Sequence, residues 1–191
     1  MPPDTRTAIL DAAEELVQVN GANAISFASI SERVKIRKAS IHHHFPTKEA
    51  LIEELVRRYS ARFLARVDII IGSKTTAARK LRAYANLFDA TLTAPPGKRV
   101  CLCGMLGAEF ESLSPAAARL LRDFYRENEA RLGGLLAQGR REGSLKFTGD
   151  PGTVGLTLFA MLEGAMFVAR ADGGPRQFRQ LSDRALRLVG G

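Results

Sequence analysis

Residues 26 to 51 read SFASISERVKIRKASIHHHFPTKEAL. Ser26 is a favourable N-cap residue, and the apolar residues after it, beginning with Ile30, recur at helical spacing, so a short amphipathic helix is predicted. Only a tight turn separates it from a second short helix, in which Ile41 and Phe45 share one face. Two short helices joined by a tight turn are typical of a helix-turn-helix.

The outward face of the second helix carries the chemistry. Because Ile41 and Phe45 face inward, the intervening polar side chains must point outward, where hydrogen-bond donors suit the major groove of DNA. Pro46 ends this helix, and Thr47 caps the next one. The residues predicted to contact DNA are Ser26, Arg37, Lys38, Ala39, Ser40, His42, His43, His44 and Lys48.

This segment, with the helix before it, resembles the TetR family of transcriptional regulators. The family pattern is a helix ended by Gly, a Ser/Thr-capped helix, a recognition helix ending in Tyr-His-His-Phe or a variant, and a Lys-Glu-x-Leu helix start. The corresponding positions here are Gly21, Ser26, residues 41–45 and residues 48–51. Four positions depart from the family pattern. Lys35 and Ala39 stand where the family usually has Gly, Arg37 stands where it has Ser, and His42 stands where it has Tyr.

The pattern along the chain is helical throughout and predicts an all-α fold of about nine helices, in agreement with the resemblance. The resemblance assigns residues 1–46 to a helix-turn-helix DNA-binding domain and residues 47–191 to a helical regulatory domain that binds a ligand and dimerises. The function it implies is a homodimeric, cytoplasmic repressor that binds a palindromic double-stranded DNA operator and is released by a small apolar or amphipathic effector. The alternative is a helical small-molecule-binding protein that no longer binds an operator, suggested by Lys35 and Arg37.

The net charge of +8 lies outside the first 60 residues, which hold equal numbers of basic and acidic side chains. The overall charge is therefore weak support for DNA binding. A stronger indication is the basic stretch between Glu32 and Glu49, which contains no acidic residue.

The last two predicted helices, residues 153–171 and 175–189, are joined by only three residues and should pack antiparallel. The first of them is apolar on both sides, so it needs two partners, namely the core of its own chain and the same helices of a second subunit. A core helix in a monomer is the alternative. The predicted dimer interface comprises Leu158, Met161, Leu162, Ala165, Phe178, Leu181, Ala185 and Leu188.

A ligand site in the regulatory domain is predicted from aromatic residues and methionines, many of which could equally be core. Glu163 is an acidic residue on an otherwise apolar helix, so burial there requires either a cationic ligand or an arginine partner such as Arg170, Arg179 or Arg184. The candidate lining residues are Phe63, Tyr84, Phe88, Met105, Phe110, Phe124, Tyr125, Phe159, Glu163 and Met166.

Signatures of an enzyme, a metal site or a cofactor site are not found in the sequence. Successive residues of a helix point about 100° apart, so His42, His43 and His44 cannot converge on one ion. Cys101 and Cys103 are predicted to be small buried hydrophobes, with a thiol-based redox sensor as the alternative. No membrane segment is expected, because the first residues lack an apolar run and the stretch 154–169 is short and contains Glu163.

Overall fold

The computed structural model describes residues 4–95 and 97–190. Within these ranges the chain forms nine α-helices and one 3₁₀ turn without a strand, which confirms the predicted all-α fold. The helices are α1 (Thr5–Asn20), α2 (Phe27–Val34), α3 (Lys38–His44), α4 (Lys48–Gly72), α5 (Ala77–Thr93), α6 (Leu102–Ala108), α7 (Pro115–Arg141), α8 (Pro151–Ala171) and α9 (Gly174–Arg187), with the 3₁₀ turn at Phe110–Ser112.

The helices form two compact units. The first comprises Met1–Ala61 and Leu102–Asp123, and the second comprises Arg62–Cys101 and Phe124–Gly191. Helices α4 and α7 therefore each contribute residues to both units. The predicted domain boundary between residues 46 and 47 stays a prediction. Residues 1–3, 96 and 191 of the two predicted domains lie outside the described residues.

In the first unit, α1 packs against α2, α3 and α6. Asp4 caps α1 by accepting a hydrogen bond from the Arg6 backbone N–H at 3.1 Å, and the helix stops at Gly21, whose φ of 85° favours glycine. The inward residues are fully buried: Ile9, Leu10, Ala13, Val17, Ile30, Ile41 and Phe45. This shared core holds α2 and α3 in place with only eight and seven residues each.

In the second unit, α8 packs against α9 and α5. A close approach of α7 and α8 requires Gly155, because a Cβ there would lie 3.0 Å from the Leu132 Cβ and 3.2 Å from the Gly133 nitrogen. Gly155 therefore serves packing within the chain. Helix α8 is long and apolar enough to cross a membrane by length and composition alone, but 44% of its most apolar window is buried inside the protein.

The sixth helix differs from its prediction. The sequence pattern predicts a short helix near Met105 to Leu113, whereas α6 runs from Leu102 to Ala108 and is followed by the 3₁₀ turn Phe110–Ser112. The earlier start buries Leu102, Cys103 and Leu106 in the first unit. At the other end the chain leaves the α-helix at Glu109, whose carboxylate accepts hydrogen bonds from backbone groups near Gly21.

Candidate nucleic-acid interface and effector site

Helix α2 begins with a reciprocal capping interaction. The Ser26 hydroxyl accepts a hydrogen bond from the Ser29 backbone N–H at 3.2 Å, and the Ser29 hydroxyl accepts one from the Ser26 N–H at 3.0 Å. Ser26 is exposed, so its hydroxyl proton remains available to a phosphate oxygen. The predicted DNA contact at Ser26 therefore coexists with a structural role.

The turn between α2 and α3 is held in a left-handed conformation at Lys35, with φ 60° and ψ 44°. Its backbone N–H and that of Ile36 both bond to the Ser31 carbonyl, and the Ser31 hydroxyl donates to the Ile36 carbonyl at 2.5 Å. These hydrogen bonds cap the C-terminal end of α2 and hold Lys35 in a left-handed conformation that a glycine would adopt without strain. The Lys35 side chain is exposed beside α3.

Helix α3 presents one buried and one exposed face, as its sequence predicts. Ile41 and Phe45 are 0% and 3% exposed, whereas Arg37, Lys38 and Ala39 lie at the surface. Arg37 occupies the N-cap position but its side chain makes no capping hydrogen bond. The Arg37 guanidinium therefore does not cap the helix. Ser40, which is half-buried, is the next polar residue after Lys38 on α3.

The three histidines divide between packing and solvent. The His42 ring packs edge-on against Phe27 with centroids 4.7 Å apart, and its Nδ1 lies 3.4 Å from the Pro46 carbonyl oxygen. His43 is exposed and His44 is half-buried, with their rings 5.3 Å apart. Among the described residues no group of His, Cys, Asp or Glu side chains has a metal-binding arrangement.

The start of α4 brings another cation close to α3. Thr47 caps this helix, its hydroxyl accepting a hydrogen bond from the Ala50 N–H at 3.1 Å, and Lys48 is the first helical residue. Hydrogen bonds from its own backbone N–H and from the Thr47 hydroxyl lower the pKa of the Glu49 carboxyl. Glu49 thus stays ionised at the positive end of the helix dipole, while Lys48 is half-buried in the same turn.

Ion pairs decide which cations of the first unit remain available. Arg33 pairs with Glu15, so this member of the basic stretch is already neutralised. By contrast, Lys35, Arg37 and Lys38 form no ion pair with any acidic side chain in the described ranges. These three cations lie close together in the chain, on the turn and at the start of α3.

The carboxylate of Glu109, which is not among the predicted site residues, supports the connection between α1 and α2. The Glu109 carboxylate accepts hydrogen bonds from the backbone N–H groups of Ala22 and Asn23, at 2.7 and 3.2 Å. A Cβ at Gly21 would meet the same carboxylate and displace it from these hydrogen bonds, and the positive φ of Gly21 itself favours glycine. Because Glu109 lies 87 residues from Ala22 in the chain, no local pattern could have identified this contact.

Comparison with known proteins agrees with this arrangement. The family model described as bacterial regulatory proteins of the tetR family matches residues 9–55, which contain α2 and α3. The model described as the tetracyclin repressor-like C-terminal domain matches residues 77–185, more than half of the chain. The chain belongs to the TetR family. It is accordingly a DNA-binding transcriptional regulator, and members of this family are generally not enzymes.

Solved and curated relatives extend the similarity to the whole chain. A TetR-family transcriptional regulator from Agrobacterium tumefaciens superposes with a TM-score of 0.92 and 30% identity, over 97% of each chain. The nucleoid occlusion factor SlmA of Marinobacter nauticus is 27% identical over 69% of this chain and 71% of its own length. The HTH-type transcriptional regulator UidR of Escherichia coli is 40% identical over 62 residues, about a third (32%) of each chain.

In the second unit of this TetR-family regulator, most of the predicted ligand-lining aromatics form one cluster. Phe63 contacts the rings of Tyr84, Phe88 and Phe124 at centroid distances of 5.5 to 6.1 Å. Phe159 joins the cluster through Phe88, Phe124 and Tyr125, and only Tyr125 is partly exposed. We call the six residues Phe63, Tyr84, Phe88, Phe124, Tyr125 and Phe159 the aromatic cluster.

Polar groups lie within and beside the aromatic cluster. The Tyr84 hydroxyl and the Asn128 side-chain amide, both buried, bond to each other at 2.9 to 3.1 Å. Burial raises the pKa of the Tyr84 hydroxyl well above its usual value, and the nearby Glu163 carboxyl adds to this effect. Burial likewise raises the pKa of Glu163, and the Cys101 thiol raises it further.

Three other predicted lining residues lie outside this cluster. Met105 and Phe110 belong to the first unit, where the Arg122 guanidinium lies over the Phe110 ring at 4.7 Å. Met166 is fully buried on α8 of the second unit. Cys101 and Cys103 are both buried and form no disulfide, as expected of small hydrophobes.

The predicted dimer interface separates into buried and exposed residues. Five of its members pack inside the chain and so cannot form its outer surface: Leu158, Leu162, Ala165, Phe178 and Ala185. The other three, Met161, Leu181 and Leu188, are 40%, 37% and 61% exposed. The remaining exposed apolar residues of α8 are Leu156 and Val168. We call Leu156, Met161, Val168, Leu181 and Leu188 the α8–α9 surface.

Proposed function

We propose that this protein is a cytoplasmic homodimeric repressor, without enzymatic activity, that binds an operator with two half-sites and is released by a small effector bound in the second unit. The observation that carries the proposal is the exposed face of α3, which offers Arg37, Lys38 and Ser40 while Ile41 fixes the helix to the core. A short helix held in this way presents its first residues to base edges in the major groove.

Phosphate contacts in this proposal come from the cations around α3. Lys35 and Lys48 flank α3 in the chain and carry the sequence-independent part of the affinity, together with the exposed hydroxyl of Ser26. Arg37, Lys38, Ser40 and the exposed imidazole of His43 read the bases. His42 has a smaller share, since its ring already packs on Phe27.

Dimerisation follows from the α8–α9 surface. Five large apolar side chains are 37% to 61% exposed on two helices that pack on each other. Burying them against the same surface of a second copy forms a four-helix contact about a two-fold axis. Gly164 faces open space in its own chain, and its lack of a side chain permits close approach of the second copy. Two helix-turn-helix segments related by a two-fold axis bind an inverted repeat.

The experiment that tests this function is selection of bound sequences from random DNA duplexes. We expect enrichment of an inverted repeat, and loss of that enrichment in the variant Lys38→Ala at equal protein concentration. The variant Arg57→Ala is the matched control, because Arg57 is an exposed cation of the first unit that already pairs with Glu54. A wild-type protein that enriches no sequence would instead support the helical binding protein without an operator.

A further inference from the structure

Glu163 has an environment that its own chain does not satisfy. Both carboxyl oxygens are buried, and neither has a hydrogen-bond partner of ordinary geometry among the described residues. Its neighbours on α8 are apolar, with Phe159 one turn before it and Met166 nearly one turn after it, at 5% and 0% exposure. Buried polar groups of folded proteins are nearly always paired, so an unpaired carboxyl calls for a specific explanation.

The arginines suggested by the sequence do not supply a partner. Arg179 pairs with Asp89, at 3.1 Å, and Arg184 is exposed on α9. After burial, the influence on the pKa of the Glu163 carboxyl comes from the side chain of Cys101, whose electrostatic interaction and hydrogen bonding both raise it and so do not stabilise the carboxylate. Leaving such a group unpaired costs free energy, which a permanent structural role does not explain.

The groups facing Glu163 from the neighbouring helices are aromatic or neutral. Tyr84 of α5 lies close enough for the two ionisations to influence each other, and Cys101 approaches from the segment before α6. Two ion pairs join charged residues of α5 and α9: Arg82 pairs with Asp183, and Asp89 pairs with Arg179. Lys80, one turn before Tyr84, donates to the Ile71 carbonyl at 2.7 Å.

A carboxylate beside several aromatic rings is the arrangement that binds organic cations. Ring faces attract a cation electrostatically, and this attraction is largest where water is excluded. An anionic ligand would be repelled by the ionised acid, and a purely apolar ligand would leave both oxygens unpaired. The chemistry therefore favours one ligand class over the other two.

We infer that the effector site of the second unit takes a cationic amphiphile, a quaternary ammonium or protonated amine attached to an apolar body, with Glu163 as its counter-ion and the aromatic cluster around it. This inference rests on the proposed function, since it names the ligand class of the proposed effector site. The apolar body of the ligand lies among the rings, and the cationic group lies against the carboxyl of α8.

Binding of a permanent cation must be linked to a proton. In the ligand-free protein, burial raises the pKa of Glu163 and so favours the protonated form of its carboxyl. A bound cation stabilises the carboxylate, so binding releases a proton and affinity rises with pH until the ligand-free carboxyl is itself ionised. A neutral ligand of the same shape has no such dependence.

The test is isothermal titration calorimetry of the full-length dimer with two isosteric probes, 4-hydroxyphenyltrimethylammonium and 4-tert-butylphenol. We expect the cation to bind about 10- to 30-fold more tightly than its neutral isostere. Below the ligand-free pKa, its affinity should rise by up to roughly tenfold per pH unit, with a binding enthalpy that depends on the ionisation enthalpy of the buffer. In Glu163→Gln the preference and the pH dependence should both disappear.

The outcomes separate this inference from the proposed function. Equal affinity for the two probes, or cation binding without proton release, would overturn the assignment of a cationic ligand and leave operator binding untouched. Cation binding that fails to release operator DNA would keep the site and overturn its role as the effector site. If Glu163→Gln does not fold, proton release measured on the wild-type protein alone decides the question.

Discussion

At the scale of single residues, Lys38 and Lys48 should affect DNA binding differently. Lys38 is exposed in the first turn of α3, whereas Lys48 is half-buried in the first turn of α4. We predict that Lys38→Ala weakens operator binding by about 1–3 kcal/mol and relaxes sequence preference. Lys48→Ala should weaken all sequences alike and lower the slope of log affinity against log salt by about 1.

Fluorescence anisotropy titrations with operator and with unrelated duplexes, at several salt concentrations, measure both effects. Arg57→Ala is again the control for loss of one exposed positive charge. Unchanged affinity and unchanged salt dependence in both lysine variants would contradict the assignment of α3 as the recognition helix.

Glu163 should make the stability of the protein depend on pH in a definite direction. Because its folded-state pKa is raised, its contribution is fully present below the pKa of the unfolded chain and is lost as pH rises through the folded-state value. We predict that Glu163→Gln has the higher free energy of unfolding at about pH 8, by about 1–3 kcal/mol, with the difference shrinking towards about pH 5. Urea unfolding of both proteins at the two pH values measures this.

The control is Glu111→Gln, which removes an exposed carboxylate from the first unit. A wild-type protein that gains stability over Glu163→Gln as pH rises would show that Glu163 is ionised and satisfied in the folded state. Glu163→Gln is also a better probe of the ligand site than Phe88→Ala or Phe124→Ala. Both rings are at most 2% exposed, and removing such a ring costs about 3–5 kcal/mol of stability.

At the scale of elements, the turn between α2 and α3 carries measurable strain. Lys35 adopts φ 60°, which costs a non-glycine residue about 1–2 kcal/mol, offset in part by the greater freedom that glycine has in the unfolded chain. We predict that Lys35→Gly stabilises the protein by about 0.5–1 kcal/mol while weakening DNA binding through the loss of one cation. Thermal unfolding and anisotropy titration measure the two effects, and a destabilised variant would contradict the strain.

The helix pattern of the sequence predicted the elements that carry strong local signals. The end of α1 at Asn20 followed from the Gly21 stop, and α8 was placed to within two residues at each end. Helix α6 was misplaced because its glycines, Gly104 and Gly107, weaken the helical signal, while the cysteines carry no clear periodicity.

The sites were predictable to different degrees for a physical reason. Residues of α3 could be assigned because Ile41 and Phe45 define its inward face within one short helix. The apolar faces of α8 could not be ranked, since periodicity does not say which face meets the same chain. Leu158 and Leu162 therefore proved to be core, whereas Met161 lies on the surface. The Glu109 contact depends on residues far apart in the chain and has no local signature.

At the scale of the whole molecule, the α8–α9 surface should control assembly. We predict a dimer at micromolar concentration, and Leu181→Arg should dissociate it, because a dimer would bury an unpaired charge there. The matched control is Ile69→Arg, which places the same charge on an apolar residue of α4 that is 74% exposed and lies outside this surface. Light scattering measures the mass, and a monomeric wild-type protein with intact operator affinity would contradict the dimer.

Regulation by a ligand requires that the two binding events be coupled, and such coupling is reciprocal. The direct measurement is a pair of calorimetric titrations of one compound that binds the ligand-free protein, with and without saturating operator DNA. The account predicts that operator lowers the affinity for the compound by the same factor as the compound lowers the affinity for operator, roughly 5- to 150-fold. Equal ligand affinities in the two titrations would contradict an effector-released repressor, however tightly the first unit binds DNA.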